Sequence, residues 1–167
     1  MNNFFEILRP GINTTFQDRG RFNLQHFGVT ASGCMDNMSF VTANSLVSNN
    51  KNEGVLEFAY QGPLIKLSKG KTKFAITGNV HFEIINLKNE KKIGECYRSY
   101  DLYEGEQIDI ISTKKSVYGY LSIEGGFLID SFCKSVSTFS TAGIGPNEGK
   151  KISVKDKIFF KTIGKEK

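Results

Sequence analysis

The sequence predicts a mainly β, barrel-like domain with one short helix near residues 36–48. Three observations carry this. After residue 54, short segments alternate apolar and polar residues in period two. Clusters rich in glycine, asparagine and lysine separate them. One stretch before them departs from alternation toward helical spacing. The 167 residues suit one domain, which buries roughly 70% of the surface its unfolded chain exposes.

Taken in order, the opening "MNNFFEILRPG" lacks the basic and apolar runs of a secretory leader, and no stretch has the apolar length of a membrane span. Cys34, Cys96 and Cys133 are odd in number and widely spaced, which suits reduced thiols in a cytoplasm. Residues 14–39, "TTFQDRGRFNLQHFGVTASGCMDNMS", gather Gln17, Asp18, Arg19, Arg21, His26, Ser32, Cys34 and Asp36 around Gly20, Gly28 and Gly33. That composition predicts a loop.

The loop leads into the predicted helix. Met38, Val41, Leu46 and Val47 approximate one helical face, Asp36 is a good N-cap, and the asparagine-rich 49–52 ends the run. Such an N-terminus, with free N–H groups and the positive end of the dipole, favours an anion.

The strands follow. "VLEFAY" puts Leu56, Phe58 and Tyr60 on one face, and Val55, Glu57 and Ala59 on the other. Glu57 is then either an inward carboxylate or an edge residue facing water. "LIKLS", "KFAIT", "HFEIIN", "QIDIIS", "VYGYLSIE" and "KIFFKT" alternate in the same way, with turns at "KGK", "LKNE", "YEGE", "EGG" and "PNEG". The "GKT" at 70–72 is not a phosphate loop, since Ile65 stands where the first glycine belongs and no helix follows. It reads as a hairpin. The net charge of +5 comes from lysines at turns such as "SKGKTK", "LKNEKK" and "KEK", not from a stripe interleaved with aromatics, which argues against nucleic acid as a partner.

A longer pattern narrows the function. T-T-x-Q-D-x-G-R, then G-V-x-x-S-G-x-M-D, A-N-x-L-V, L-E and G-P, all within 9–63, resemble the biotin-dependent carboxyltransferase-like family. That family includes the C subunit of bacterial 5-oxoprolinase, the allophanate hydrolase subunit 2 proteins and part of urea amidolyase. "FAITGNV", "YGYLSIEGGF" and "SVSTFSTAGIGPNEGKKI" extend the resemblance from Phe5 to Phe160. It implies a cyclophilin-like barrel, with 1–167 as a single domain corresponding to the N-terminal half of the family. Two positions depart from the family pattern: Val136 and Lys150 stand where arginines are usual.

The resemblance implies conversion of 5-oxo-L-proline to L-glutamate, with ATP shared with the companion A and B subunits of a 5-oxoprolinase. Opening an unactivated lactam asks for a cation on a carboxylate or phosphate, and for a carboxylate that handles a proton or orients water. Arg21 and Asp18 are the candidates for those roles, although the two could also form a structural pair. Gln17, Ser32, Asp36, His26 and Glu57 are candidate ligand contacts, and the glycines would let backbone approach the ligand. Cys34 reads as a space-filling residue and not a nucleophile. His81 reads as a strand residue, and the two histidines with scattered cysteines make no metal site.

Two alternatives remain open. One is carboxyl transfer from carboxybiotin carried on another chain, since the sequence has no biotin-attachment motif. The other is a non-catalytic regulator that pairs with a histidine-kinase inhibitor protein. As half of a larger unit, the chain is expected to expose an apolar face for a partner or for self-association, and to be inactive alone.

Overall fold

The computed structural model describes residues 3–161. The lysines of "KEK" and the end of "KIFFKT" lie outside the described residues. In chain order the elements are β1 (Asn3–Arg9), β2 (Asn13–Gln17), α1 (Asn37–Leu46), β3 (Val55–Ala59), β4 (Leu64–Lys69) and β5 (Lys71–Gly78). Then come β6 (Val80–Ile85), β7 (Lys91–Ile93), β8 (Ser99–Tyr103), β9 (Gln107–Thr113), β10 (Tyr118–Ile123) and β11 (Lys157–Phe160). The mainly β class and the helix near 36–48 are thus as expected. Single 3₁₀ turns at Gln25–Phe27, Ser140–Ala142 and Asn147–Gly149 interrupt the loops.

The strands form two antiparallel sheets, ordered β11-β1-β4-β9-β6-β7 and β2-β3-β10-β5-β8. Between them lies the main core, where Phe5, Ile7 and Phe82 from the first sheet meet Leu56, Phe58, Phe74 and Leu121 from the second. Burying one such side chain contributes roughly 1.5–3 kcal/mol.

The five-stranded sheet is covered on its other face as well, where Phe40 and Ala43 of α1 pack with Val55 and Tyr120. This second cover explains why every residue of β3 is buried. It also rotates the helix relative to the sequence expectation: the buried face is Ser39, Phe40, Ala43 and Asn44, while Met38 is 79% exposed. Tyr60 is likewise not on the Leu56 and Phe58 face, because β3 ends at Ala59 and Tyr60 turns outward with φ +60°.

The "KGK" turn is a corner and not a hairpin, since β4 and β5 belong to different sheets. "YEGE" joins β8 to β9 in the same way, whereas "LKNE" does link a paired hairpin, β6 and β7. Strands β1, β2, β7 and β8 add to those read from sequence. β2 escapes notice because Asn13, Thr15 and Gln17, on one face, are polar.

Candidate functional site

The sequence places a polar row across the helix-facing side of the second sheet. In register, Thr15 of β2 opposes Glu57 of β3, Glu57 opposes Tyr120 of β10, and Tyr120 opposes Thr77 of β5. At the β2 end of this row opens a concavity of about 520 Å³. Its floor is Asn13, Thr15, Gln17, Glu57 and Tyr118, and its walls come from the loop through Ser32 to Met35 and from Thr138 to Thr141.

Two distant segments are clasped together to make those walls. Asp18 is buried and accepts from Gly20 N at 2.7 Å, Ser135 Oγ at 2.7 Å and Val136 N at 2.8 Å. Gln17 Nε2 donates to Thr15 Oγ1 at 3.0 Å and to the Thr138 carbonyl at 3.1 Å, while its Oε1 accepts from Ser137 Oγ. Arg21, only 2% exposed, donates to Ser32 Oγ at 3.2 Å and to the Ser137 carbonyl at 2.5 Å. Its guanidinium also lies 5.8 Å from the Phe132 ring centroid, and its Nε has no partner. Asp18 and Arg21 therefore do not pair with each other; each binds the 135–137 segment.

The loop glycines serve the same closure. Arg21 N donates to the Ala31 carbonyl at 2.8 Å and Cys34 N to the Asp18 carbonyl at 2.9 Å, so 18–21 and 31–34 run side by side. A Cβ on Gly20 (φ +93°) would lie 2.4 Å from the Ala31 oxygen, and one on Gly33 (φ +109°) 2.6 Å from the Arg19 oxygen. These glycines admit backbone against backbone, and Gly33 also lines the concavity.

The candidates accordingly separate. Gln17, Ser32 and Glu57 line the concavity, whereas Asp18, Arg21, Asp36 and His26 do not. Asp36 caps α1, accepting from Met38 N at 3.0 Å, Ser39 N at 3.1 Å and Ser39 Oγ at 2.6 Å. The Ser39 hydroxyl bond, more than the backbone bonds, holds its carboxyl below the ordinary value. The anion at the helix N-terminus is thus Asp36 itself. His26 is exposed on the 3₁₀ turn, its ring 4.0 Å from that of Phe27.

Glu57 resolves as an inward carboxylate, 6% exposed. Its Oε2 accepts from Met35 N and from Tyr120 Oη, both at 2.8 Å, and Tyr120 Oη accepts from Asp36 N at 2.7 Å. Burial raises the Glu57 carboxyl above its ordinary value, against the lowering effect of those two bonds. Burial and then the Glu57 charge raise the Tyr120 hydroxyl, and the same two causes push the Cys34 thiol up to about 11. Cys34 is therefore a protonated wall residue, not a poised nucleophile. Among the described residues no three His, Cys, Asp or Glu side chains gather as a metal site, and no helix is long and apolar enough to cross a membrane.

Residues 27–167 match the model of the family described as carboxyltransferase domain, subdomain A and B. The chain belongs to this carboxyltransferase family. The domain is 29% identical over 153 residues to the C subunit of 5-oxoprolinase from Haemophilus influenzae, covering 92% of this chain and 48% of that one. It is 32% identical over 157 residues to urea amidolyase of Lachancea kluyveri, covering 93% of this chain and 8% of the relative. Its fold superposes on the urea carboxylase of Kluyveromyces lactis with a TM-score of 0.87 at 29% identity, covering 96% of this chain and 14% of that chain. The chain thus spans about half the length of the 5-oxoprolinase relative and a small part of the amidolyase.

Within this carboxyltransferase domain, the two departures from the family pattern have structural outlets. Val136 packs on Gly54, where an added Cβ would lie 2.7 Å from its side chain, and its N–H serves Asp18. Lys150 forms an exposed ion pair with Glu148 at 2.5 Å. Thr15 and Thr138 line the concavity and Tyr120 binds Glu57, and sequence analysis did not single out any of the three. The signals were present, in the hydroxyl-rich run 135–141 and in the alternation of Tyr118, Tyr120 and Ser122 against Leu121 and Ile123.

Proposed function

We propose that this carboxyltransferase domain is part of a cytoplasmic, ATP-dependent 5-oxoprolinase that converts 5-oxo-L-proline to L-glutamate with companion subunits. The observation that carries this reading is the concavity itself. Its wall combines neutral amide and hydroxyl groups with one buried carboxylate, which suits a small polar ligand. The C subunit of 5-oxoprolinase aligns along nearly all of the chain. Ser32, Gln17 and Glu57 line the space for the ligand, while Asp18 and Arg21 act as positioning residues that hold the 135–137 segment.

A triphosphate does not fit these residues. No lysine or arginine lines the concavity, so the phosphates of ATP belong to a site on the companion subunits. Phe22, Phe27, Met35 and Met38 are all exposed along the loop and helix start, and this is the apolar surface we assign to a companion protein.

The second reading, carboxyl transfer from carboxybiotin held on another chain, is favoured by the urea carboxylase superposition. The deciding experiment measures ATP-dependent glutamate release from 5-oxo-L-proline by the purified chain, alone and with companion subunits, together with its mass in solution. Activity only in the assembled form is expected. Turnover by the lone monomer overturns the requirement for partners, and carboxylation of urea by the assembly in place of glutamate release selects the second reading.

A further inference from the structure

Glu57 is the acidic side chain in the floor of the concavity, and no cation among the described residues pairs with it. Its neighbours are the Cys34 thiol and the Asp36 carboxylate. Both donors that do reach it, Met35 N and Tyr120 Oη, bind the same oxygen, Oε2. Tyr120 Oη is fixed as the donor because it already accepts from Asp36 N. A proton taken up by Glu57 must therefore sit on Oε1, the oxygen that neither donor occupies.

A second group is unsatisfied in the adjoining wall. Thr138 is buried and its Oγ1 has no partner, although its carbonyl and N–H are held by Gln17 Nε2 and the Phe16 carbonyl. An orphaned buried hydroxyl costs stability unless a ligand or water completes it. Gln17 ties the Thr138 carbonyl to Thr15, the register partner of Glu57, so this segment is anchored to the strand beside Glu57.

We propose that Glu57 is the proton-exchanging residue of this concavity, acting through Oε1, and that Tyr120 is the positioning residue that dictates which oxygen acts. This rests on the reading of the concavity as the ligand site. In the exchange an N–H or O–H bond of the ligand or of attacking water breaks and the Oε1–H bond forms. The negative charge passes from the carboxylate to the ligand atom, and the reverse step returns the proton.

The test uses Glu57→Gln and Tyr120→Phe. The glutamine amide keeps an acceptor for Met35 N and Tyr120 Oη, so folding is preserved while proton exchange is lost. In the assembled enzyme, assayed with 5-oxo-L-proline and separately with urea, Glu57→Gln is expected to lower kcat at least about 100-fold with KM little changed. Tyr120→Phe removes a bond that favours the charged carboxylate, so the acidic limb of its pH profile moves to higher pH. Wild-type kcat in Glu57→Gln overturns the proposal. Independently of any substrate, the side-chain carboxyl of Glu57 is titrated by carbon-13 NMR in the full chain. A midpoint above the usual carboxylate range, raised further in Tyr120→Phe, is expected; an ordinary midpoint overturns the proposal. Should the assembled wild type turn over neither substrate, the functional reading fails on its own and the titration still decides the role of Glu57.

Discussion

Asp18 and Ser135, 117 positions apart in sequence, meet at 2.7 Å in the interior of the domain. With Val136 N and Gly20 N also bound to Asp18, one carboxylate organises both walls of the concavity. Asp18→Ala leaves three donors without their acceptor and is expected to cost about 3 kcal/mol. Urea denaturation measures the loss, and amide exchange at Val136 should accelerate in step. An unchanged midpoint would show that the clasp is not a stabilising element.

The loop glycines divide by what surrounds them. Gly20→Ala meets two backbone oxygens at 2.4 and 2.7 Å, whereas Gly28→Ala, also at positive φ, meets nothing within 4 Å. Gly28→Ala should therefore cost only the left-handed backbone penalty of about 1–2 kcal/mol. Gly20→Ala should cost clearly more and disturb ligand binding. Equal midpoints for the two variants would contradict the side-by-side packing of 18–21 and 31–34.

Glu57 makes stability depend on pH in an unusual direction for a carboxylate. Because burial raises its folded-state value, the native chain holds the proton more often than the unfolded chain between the two values. Unfolding then releases a proton, so this contribution is present at low pH and is lost as pH rises through the raised folded value. Melting curves from about pH 4 to about pH 7 should show wild type losing stability relative to Glu57→Gln. A difference that is flat with pH would mean that burial does not perturb the group.

Thiol alkylation should rank the cysteines. Cys133 is exposed, while Cys34 and Cys96 are half-buried with their thiols raised, chiefly by burial. Near pH 8 a thiol whose value is about 11 is about one part in a thousand thiolate. Mass spectrometry should find Cys133 labelled by iodoacetamide well before Cys34. The reverse order would restore Cys34 as a reactive group.

What the sequence made legible was periodic. The alternation of Leu56, Phe58, Leu121 and Ile123 marks the inter-sheet core, and Asp36 announces the helix. The helix face was misjudged at Met38 because local spacing cannot show that a second sheet face needs covering by Phe40 and Ala43. Gly70 reads as a hairpin glycine because turn chemistry is the same whether the chain returns to its own sheet or crosses to the other. At the site, the crowding of polar residues in 14–39 was visible. Which of them line the concavity was not, since the partners that absorb Asp18 and Arg21 come from 135–137. Spacing along a chain carries no record of such long-range bonds.

That same clasp sets the order of events during synthesis. Gln17, Asp18 and Arg21 leave the ribosome early, yet their hydrogen-bonding partners at 135–138 follow more than a hundred residues later. Thr14 waits longer still, for Ile152 N. Closing so long a loop precedes any reward from it, so these contacts belong to the slow, late part of folding. Without residues 135–141, Arg21 lacks the Ser137 carbonyl that it binds and the concavity lacks its Thr138–Thr141 wall. The concavity is complete only once residues 135–141 have folded back onto the second sheet.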